Sequence, residues 1–188
     1  MTRCLAIAAV VGLSFALCAC GEAGDPDRQT AGQQLADAFS STARAATRSA
    51  QGAQAFASTI AADDAYEVAA AGLAKRMSRR EDVRGFATQM IQDHAVVGDE
   101  LRDALKRTHG VEADPRLSPA QHQALDRLRK AGAGFDDAYA KQEIAGHEQE
   151  LSTLRDYADN GMDPALSEFA ADAENMAADH LSLARKLS

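Results

Sequence analysis

The stretch that decides the fold is residues 83–101, VRGFATQMIQDHAVVGDEL. Its large apolar residues recur every three or four positions, which is the period of one face of an α-helix. The stripe consists of Val83, Phe86, Met90, His94, Val97 and Leu101. Because His94 stands among apolar residues, the stretch predicts a helix that packs into a core and carries a histidine inward.

Three further stripes of the same period each contain one polar residue at a comparable height. They cover residues 56–77, 140–158 and 166–187, and the polar residues are Glu67, His147 and His180. A buried polar group without a partner costs roughly 2 kcal/mol or more. We therefore expect Glu67, His94, His147 and His180 to satisfy one another or to hold a ligand between them.

Capping signals divide the chain into helices. Ser78 followed by Glu81 predicts a capping box for the second helix. Ser118-Pro119 predicts the start of a short helix, and Asp163-Pro164 predicts the start of the last one. Since residues 53–188 show helical period and no strand-like alternation, they predict one all-α domain. This domain is an antiparallel bundle of four long helices with a short helix in the central connection.

The N-terminus predicts export and lipidation. Arg3 precedes an apolar stretch that is shorter than the roughly 20 residues of a spanning helix, so residues 1–19 predict a signal peptide. Leu17 and Ala19 before Cys20 resemble the lipobox of bacterial lipoproteins, which predicts lipidation of Cys20. An ordinary signal with incidental cysteines is the alternative. Gly21, rather than an acidic residue, follows the anchor, and the resemblance to sorted lipoproteins then implies the outer membrane, with the protein facing the periplasm.

The amino-acid composition limits the kinds of partner that the protein can bind. Residues 20–52 are rich in Gly, Ala, Gln, Ser and Thr, which predicts a tether or an Ala-rich helix between the lipid and the domain. A formal net charge of −8 argues against nucleic acid, and the membrane is expected to be reached through the lipid anchor alone. Protein partners are not indicated. Because Cys20 is the last cysteine, the domain has no disulfide and no thiolate metal site.

Several motifs resemble bacterial envelope proteins grouped as the domain of unknown function DUF4142. They are Phe86-Ala87, Asp93-His94, Phe135-Asp136, His147, Asp163-Pro164, Phe169-Ala170 and His180-Leu181. The resemblance covers about residues 54–187 and implies a ferritin-like bundle in the outer membrane or periplasm, without an assigned activity. The wider ferritin-like group binds two ions through Glu-x-x-His pairs. Ile91 and Ala177 stand where those glutamates would be, so no di-iron centre is predicted.

The polar residues allow two hypotheses. One carboxylate and three imidazoles suit a single Zn, Cu, Fe or Mn ion, used for metal or oxidative-stress handling. Met90 and Met176, which share the pattern M-x-x-D-H, are candidate additional ligands that would favour cuprous copper. The alternative is a structural or interaction module of the envelope, in which the same residues form a buried hydrogen-bond network. No catalytic motif is recognised.

The charged neighbours of the histidines are expected to lie outside the centre. Glu143 and Glu150 each stand one helical turn from His147, where either could orient its ring, but we expect both to face solvent. Asp93 and Asp179 point about 100° away from the buried histidines that follow them. We expect these aspartates to be exposed or hydrogen-bonded to a neighbouring helix.

Overall fold

Five helices build the described part of the protein. The computed structural model describes the backbone of residues 26–188 and the side chains of residues 49–188. The helices are α1 (Pro26–Met77), α2 (Glu81–Arg107), α3 (Pro119–Lys130), α4 (Phe135–Asn160) and α5 (Pro164–Ala184). Residues 26–188 contain no strand, which confirms the all-α prediction.

The N-terminal predictions are not addressed by this structure. The signal peptide of residues 1–19 and the lipidated Cys20 lie outside the described residues. Residues 42–188 form one compact unit, and α1 begins at Pro26. The domain boundary at residue 53 stays a prediction. None of the helices within residues 26–188 has the length and apolar character that a bilayer crossing requires.

Two apolar clusters show how the long helices run. The first cluster contains Phe56, Ile60, Val97, Leu101, Leu151, Leu154, Leu166 and Phe169. The second cluster contains Tyr66, Leu73, Val83, Phe86, Leu125, Leu128, Tyr139 and Ala184. Along the chain, α1 and α5 lead from the first cluster to the second, while α2 and α4 lead back. The packed pairs α4 with α5 and α2 with α5 are therefore antiparallel, as predicted. The ferritin-like topology stays a prediction.

The helix starts confirm two of the three predicted caps. Ser118 Oγ accepts the backbone N–H of Gln121, whose side chain in turn accepts the N–H of Ser118. Asp163 Oδ1 accepts the N–H of Leu166 at the start of α5. The capping box at Ser78 is wrong, because α2 begins only at Glu81. Ser78 Oγ instead accepts the N–H of Arg80, within the tight turn between α1 and α2.

Candidate metal centre

A polar layer lies where the four long helices pass from one apolar cluster to the other. Its members are Glu67 of α1, His94 of α2, Glu143 and His147 of α4, and His180 of α5. None is more than 4 % exposed. All four residues predicted to face inward are therefore buried, and a fifth polar residue, Glu143 of α4, lies with them.

Three histidines of this layer form a compact group. One ring nitrogen of each of His94, His147 and His180 lies within 4.8 Å of those of the other two. The ring centroids are 5.3 Å apart for His147 and His180, 5.4 Å for His94 and His180, and 6.2 Å for His94 and His147. Since a zinc–imidazole bond measures about 2.0–2.1 Å, two nitrogens on one ion are at most about 4.2 Å apart. Small ring movements would close the group around one ion.

Each histidine is oriented by an oxygen atom outside this group. The hydrogen bonds are His94 Nδ1 to Asp64 Oδ1 (2.7 Å), His147 Nδ1 to the Glu143 carbonyl oxygen (2.7 Å) and His180 Nε2 to Asp93 Oδ2 (2.9 Å). Carboxylate and carbonyl oxygens accept, so the bonded nitrogen donates the proton and the other ring nitrogen keeps its lone pair. Nε2 of His94 and Nε2 of His147 are buried and have no hydrogen-bond partner.

The environment keeps two of the imidazoles neutral. The pKa of His147 is lowered to about 3, chiefly by burial and also by the nearby His180 and His94, although the hydrogen bond to the Glu143 carbonyl oxygen opposes the change. Burial also lowers the pKa of His180, although Asp93 opposes the change. Burial acts on His94 in the same direction. Its pKa is nevertheless raised, because the hydrogen bond to Asp64 and the negative charge of Glu150 outweigh burial.

Glu67 lies with a second carboxylate rather than with all three histidines. Ligand atoms of Glu67, Glu143 and His147 lie within 4.8 Å of one another. Oε2 of Glu67 and both carboxylate oxygens of Glu143 are buried without a partner at ordinary hydrogen-bond geometry. Burial raises the pKa of Glu67 well above its usual range, and Glu143 raises it further. Burial likewise raises the pKa of Glu143.

A glycine of α4 makes room for the Glu67 carboxylate. A Cβ atom at Gly146 would lie 2.8 Å from Glu67 Oε1, which is closer than real Cβ contacts allow. The carboxylate therefore approaches the α4 backbone in a position that any larger residue would fill.

The expectation that Glu143 and Glu150 face solvent is wrong. Glu143 is fully buried, and the Glu150 side chain is 12 % exposed. Residues four before and three after a helical position share its face, so both follow His147 into the bundle. The expectation for Asp93 is confirmed, since it accepts a hydrogen bond from His180 of the neighbouring α5. Asp179 is exposed.

The sequence analysis did not single out Asp64. It also treated the two methionines as candidate ligands of one site, whereas the structure places them apart. Asp64 stands one turn before Glu67, and this spacing could have indicated a residue near the layer. Met90 is buried in the second apolar cluster, whereas Met176 packs against the first. The methionines therefore lie towards different ends of the bundle, and their part as metal ligands stays a prediction.

A surface groove reaches the histidine group. It encloses about 420 Å³ between α1 and α2, next to Asp64 and His94. Small residues line much of it, namely Ala61, Ala65, Ala95 and Gly98. A buried ion site needs an access route, and this groove ends at the hydrogen-bonded pair on one side of the centre.

A comparison with protein families identifies the family of this chain. The model of a domain of unknown function, DUF4142, matches residues 38–187. The chain belongs to the DUF4142 family. The DUF4142 match includes every residue of the polar layer and confirms the resemblance noted in the sequence. No curated protein and no solved structure gives a significant match.

Proposed function

We propose that this DUF4142 protein is a lipid-anchored periplasmic protein whose bundle binds one transition-metal ion for metal or oxidative-stress handling. His94, His147 and His180 hold the ion together with a carboxylate, for which the sequence nominates Glu67. The orientation of the histidines carries the proposal. In known metal sites a ligating imidazole donates its second N–H to a carboxylate, carbonyl or water, and each of these histidines meets a carboxylate or carbonyl oxygen in this way.

The nitrogen count supports one ion rather than two. His147 belongs both to the histidine group and to the group with Glu67 and Glu143. Its Nδ1 already donates to the Glu143 carbonyl oxygen, so a single lone pair on Nε2 is left. One lone pair serves one ion, and the two groups therefore compete for His147.

The ligand types select the class of ion. Imidazole suits Zn, Cu and Fe, whereas Ca and Mg prefer oxygen ligands. Mn also favours oxygen ligands, and the carboxylate beside the imidazoles keeps it in the set. Because burial holds the pKa of His147 near 3, this ligand is neutral and ready to bind at neutral pH. The ion would also supply positive charge to a layer with several buried carboxyl groups.

The anchor proposal rests on the lipobox-like residues before Cys20. It places the bundle at the periplasmic face of the outer membrane. Cys20→Ser should release the protein from the membrane fraction, and unchanged fractionation and migration would contradict the anchor.

Calorimetric titration of the chelator-treated mature chain with Zn, Cu, Mn and Fe tests the metal proposal. We expect one ion per chain for at least one metal, and binding that is lost in His94→Ala and His147→Ala. His109→Ala is the matched control because His109 is exposed. Bound ion should also stabilise the fold, by about 2.7 kcal/mol at 100 times its dissociation constant.

The alternative is an envelope structural or interaction module whose polar layer only fixes helix packing. The hydrogen bonds that each histidine already makes favour it, since they satisfy half of every ring without an ion. Absence of saturable binding by all four metals would leave this alternative standing.

A further inference from the structure

We propose that Glu150, rather than Glu67, supplies the carboxylate ligand of this ion; the inference rests on the proposed metal function. Glu150 Oε2 lies 4.0 Å from His147 Nε2, and its side chain is 12 % exposed. Glu150 stands three residues after His147 on α4, so both side chains project from one face of the helix.

Different carboxylates lie near the two ring nitrogens of His147. Glu143 Oε2 lies 4.0 Å from Nδ1, the nitrogen already bonded to the Glu143 carbonyl oxygen. Glu67 has a ligand atom within 4.8 Å of those of Glu143 and His147, and Glu150 Oε2 lies 4.0 Å from Nε2. Nε2 is buried and has no hydrogen-bond partner. Glu150 therefore lies on the side where His147 has a free lone pair.

The distance fits a shared ion. Carboxylate oxygen and imidazole nitrogen each bind zinc at about 2.0–2.2 Å, so two such ligands on a tetrahedral ion are about 3.4 Å apart. The observed separation of 4.0 Å needs an approach of about half an ångström. A change of χ angles in Glu150 supplies this without moving the helix.

The charge balance of Glu150 points the same way. Among the side chains of residues 49–188, the basic group within 4.0 Å of the Glu150 carboxylate is the neutral imidazole of His147, and no Lys or Arg lies within that distance. Burial raises the pKa of Glu150 to about 7. A nearly buried carboxylate without a cationic partner is costly, and a divalent ion next to it would remove that cost.

Three matched glutamate variants of the mature chain test the assignment with Zn²⁺ and Co²⁺. Removing a hydrogen-bond partner of a ligand already costs roughly 10–100-fold in affinity, so Glu150→Gln should raise the dissociation constant at least that much. We expect a smaller change, below about threefold, for Glu67→Gln. Glu148→Gln is the surface control, since Glu148 is 53 % exposed and pairs with Arg185. Helix content from circular dichroism confirms that each variant is folded.

The visible absorption of bound Co²⁺ gives a second readout, because it depends on ligand number and type. Glu150→Gln should change the spectrum, while Glu67→Gln and Glu148→Gln should leave it as in the wild type. If Glu150→Gln keeps the affinity and spectrum of the wild type, the Glu150 assignment is wrong. The same holds if Glu67→Gln is the variant that loses affinity. Neither result would overturn the proposed metal function. Failure of the wild type to bind any ion would overturn the proposed function and this assignment with it.

Discussion

The polar layer and the two apolar clusters are equally buried but differ in what burial does for them. Leu154 in the first cluster and His147 in the polar layer are both completely inaccessible to solvent. Burying Leu154 removes apolar surface from water and stabilises the fold. Burying His147 leaves its Nε2 without a partner, and burying Glu143 leaves two carboxylate oxygens without one. The comparison indicates that the clusters stabilise the bundle, while the layer lowers its stability as long as these buried polar atoms lack partners.

The largest expected effect separates stability from binding. Leu154→Ala should lower the free energy of unfolding by about 2–5 kcal/mol, because it leaves a cavity in a fully packed site. The ion affinity should stay within about twofold of the wild type, since residue 154 is two helical turns from His147, roughly 10 Å along α4. Urea denaturation and calorimetry measure the two quantities. A large loss of affinity in this variant would mean that the clusters and the layer are not separable.

The next effect concerns pH and Glu150, beside the polar layer. Burial raises the pKa of Glu150 from 4.5 to about 7; the charges of Asp63 and Asp64 also raise it, while His94 lowers it. Below pH 4.5 the group is protonated whether the chain is folded or not. As pH rises towards 7, the unfolded chain releases the proton first, so the fold loses stability. At about 1.4 kcal/mol per pKa unit this loss reaches about 3 kcal/mol.

Glu150→Gln removes this titration and should change the pH profile. Without ion, the variant and the wild type should be similarly stable near pH 4. The variant should be more stable by up to about 3 kcal/mol at pH 8. His147, whose pKa is lowered to about 3, acts in the opposite direction in both proteins and largely cancels in the difference. Urea denaturation across pH measures the difference, and a difference that does not change with pH would contradict the burial of a titrating Glu150.

The smallest effect concerns the contact between Gly146 and Glu67. Alanine is favoured over glycine inside a helix by about 1 kcal/mol. Gly85→Ala, where a Cβ meets nothing within 4 Å, should be more stable by that amount. Gly146→Ala should show no gain, because the new Cβ displaces the Glu67 carboxylate. The gain should return in a Glu67→Ala background, which a double-mutant cycle measures. Equal gains at both glycines would contradict the close approach of Glu67 to α4.

The secondary structure could be predicted because its signals are local. The capping box at Ser118 and the Asp163-Pro164 start depend on groups within three or four residues, and both are present as predicted. The Ser78 prediction failed because the same hydroxyl can bond the nearer N–H of Arg80 in a tight turn. Sequence alone does not decide between two local partners of one hydroxyl.

The sequence by itself determined that the protein is all-α, and that Glu67, His94, His147 and His180 face inward, because helical period fixes which side of a helix a residue occupies. Only the tertiary structure decided which groups meet. Asp64, Asp93, Glu143 and Glu150 are polar residues of ordinary helical surfaces when read along the chain. How far each is buried and how far each lies from the imidazoles depend on the rotation and stagger of neighbouring helices, which result from packing across the whole bundle. For the same reason, the spacing of the glutamates along the chain could not show which ring nitrogen of His147 each carboxylate lies near.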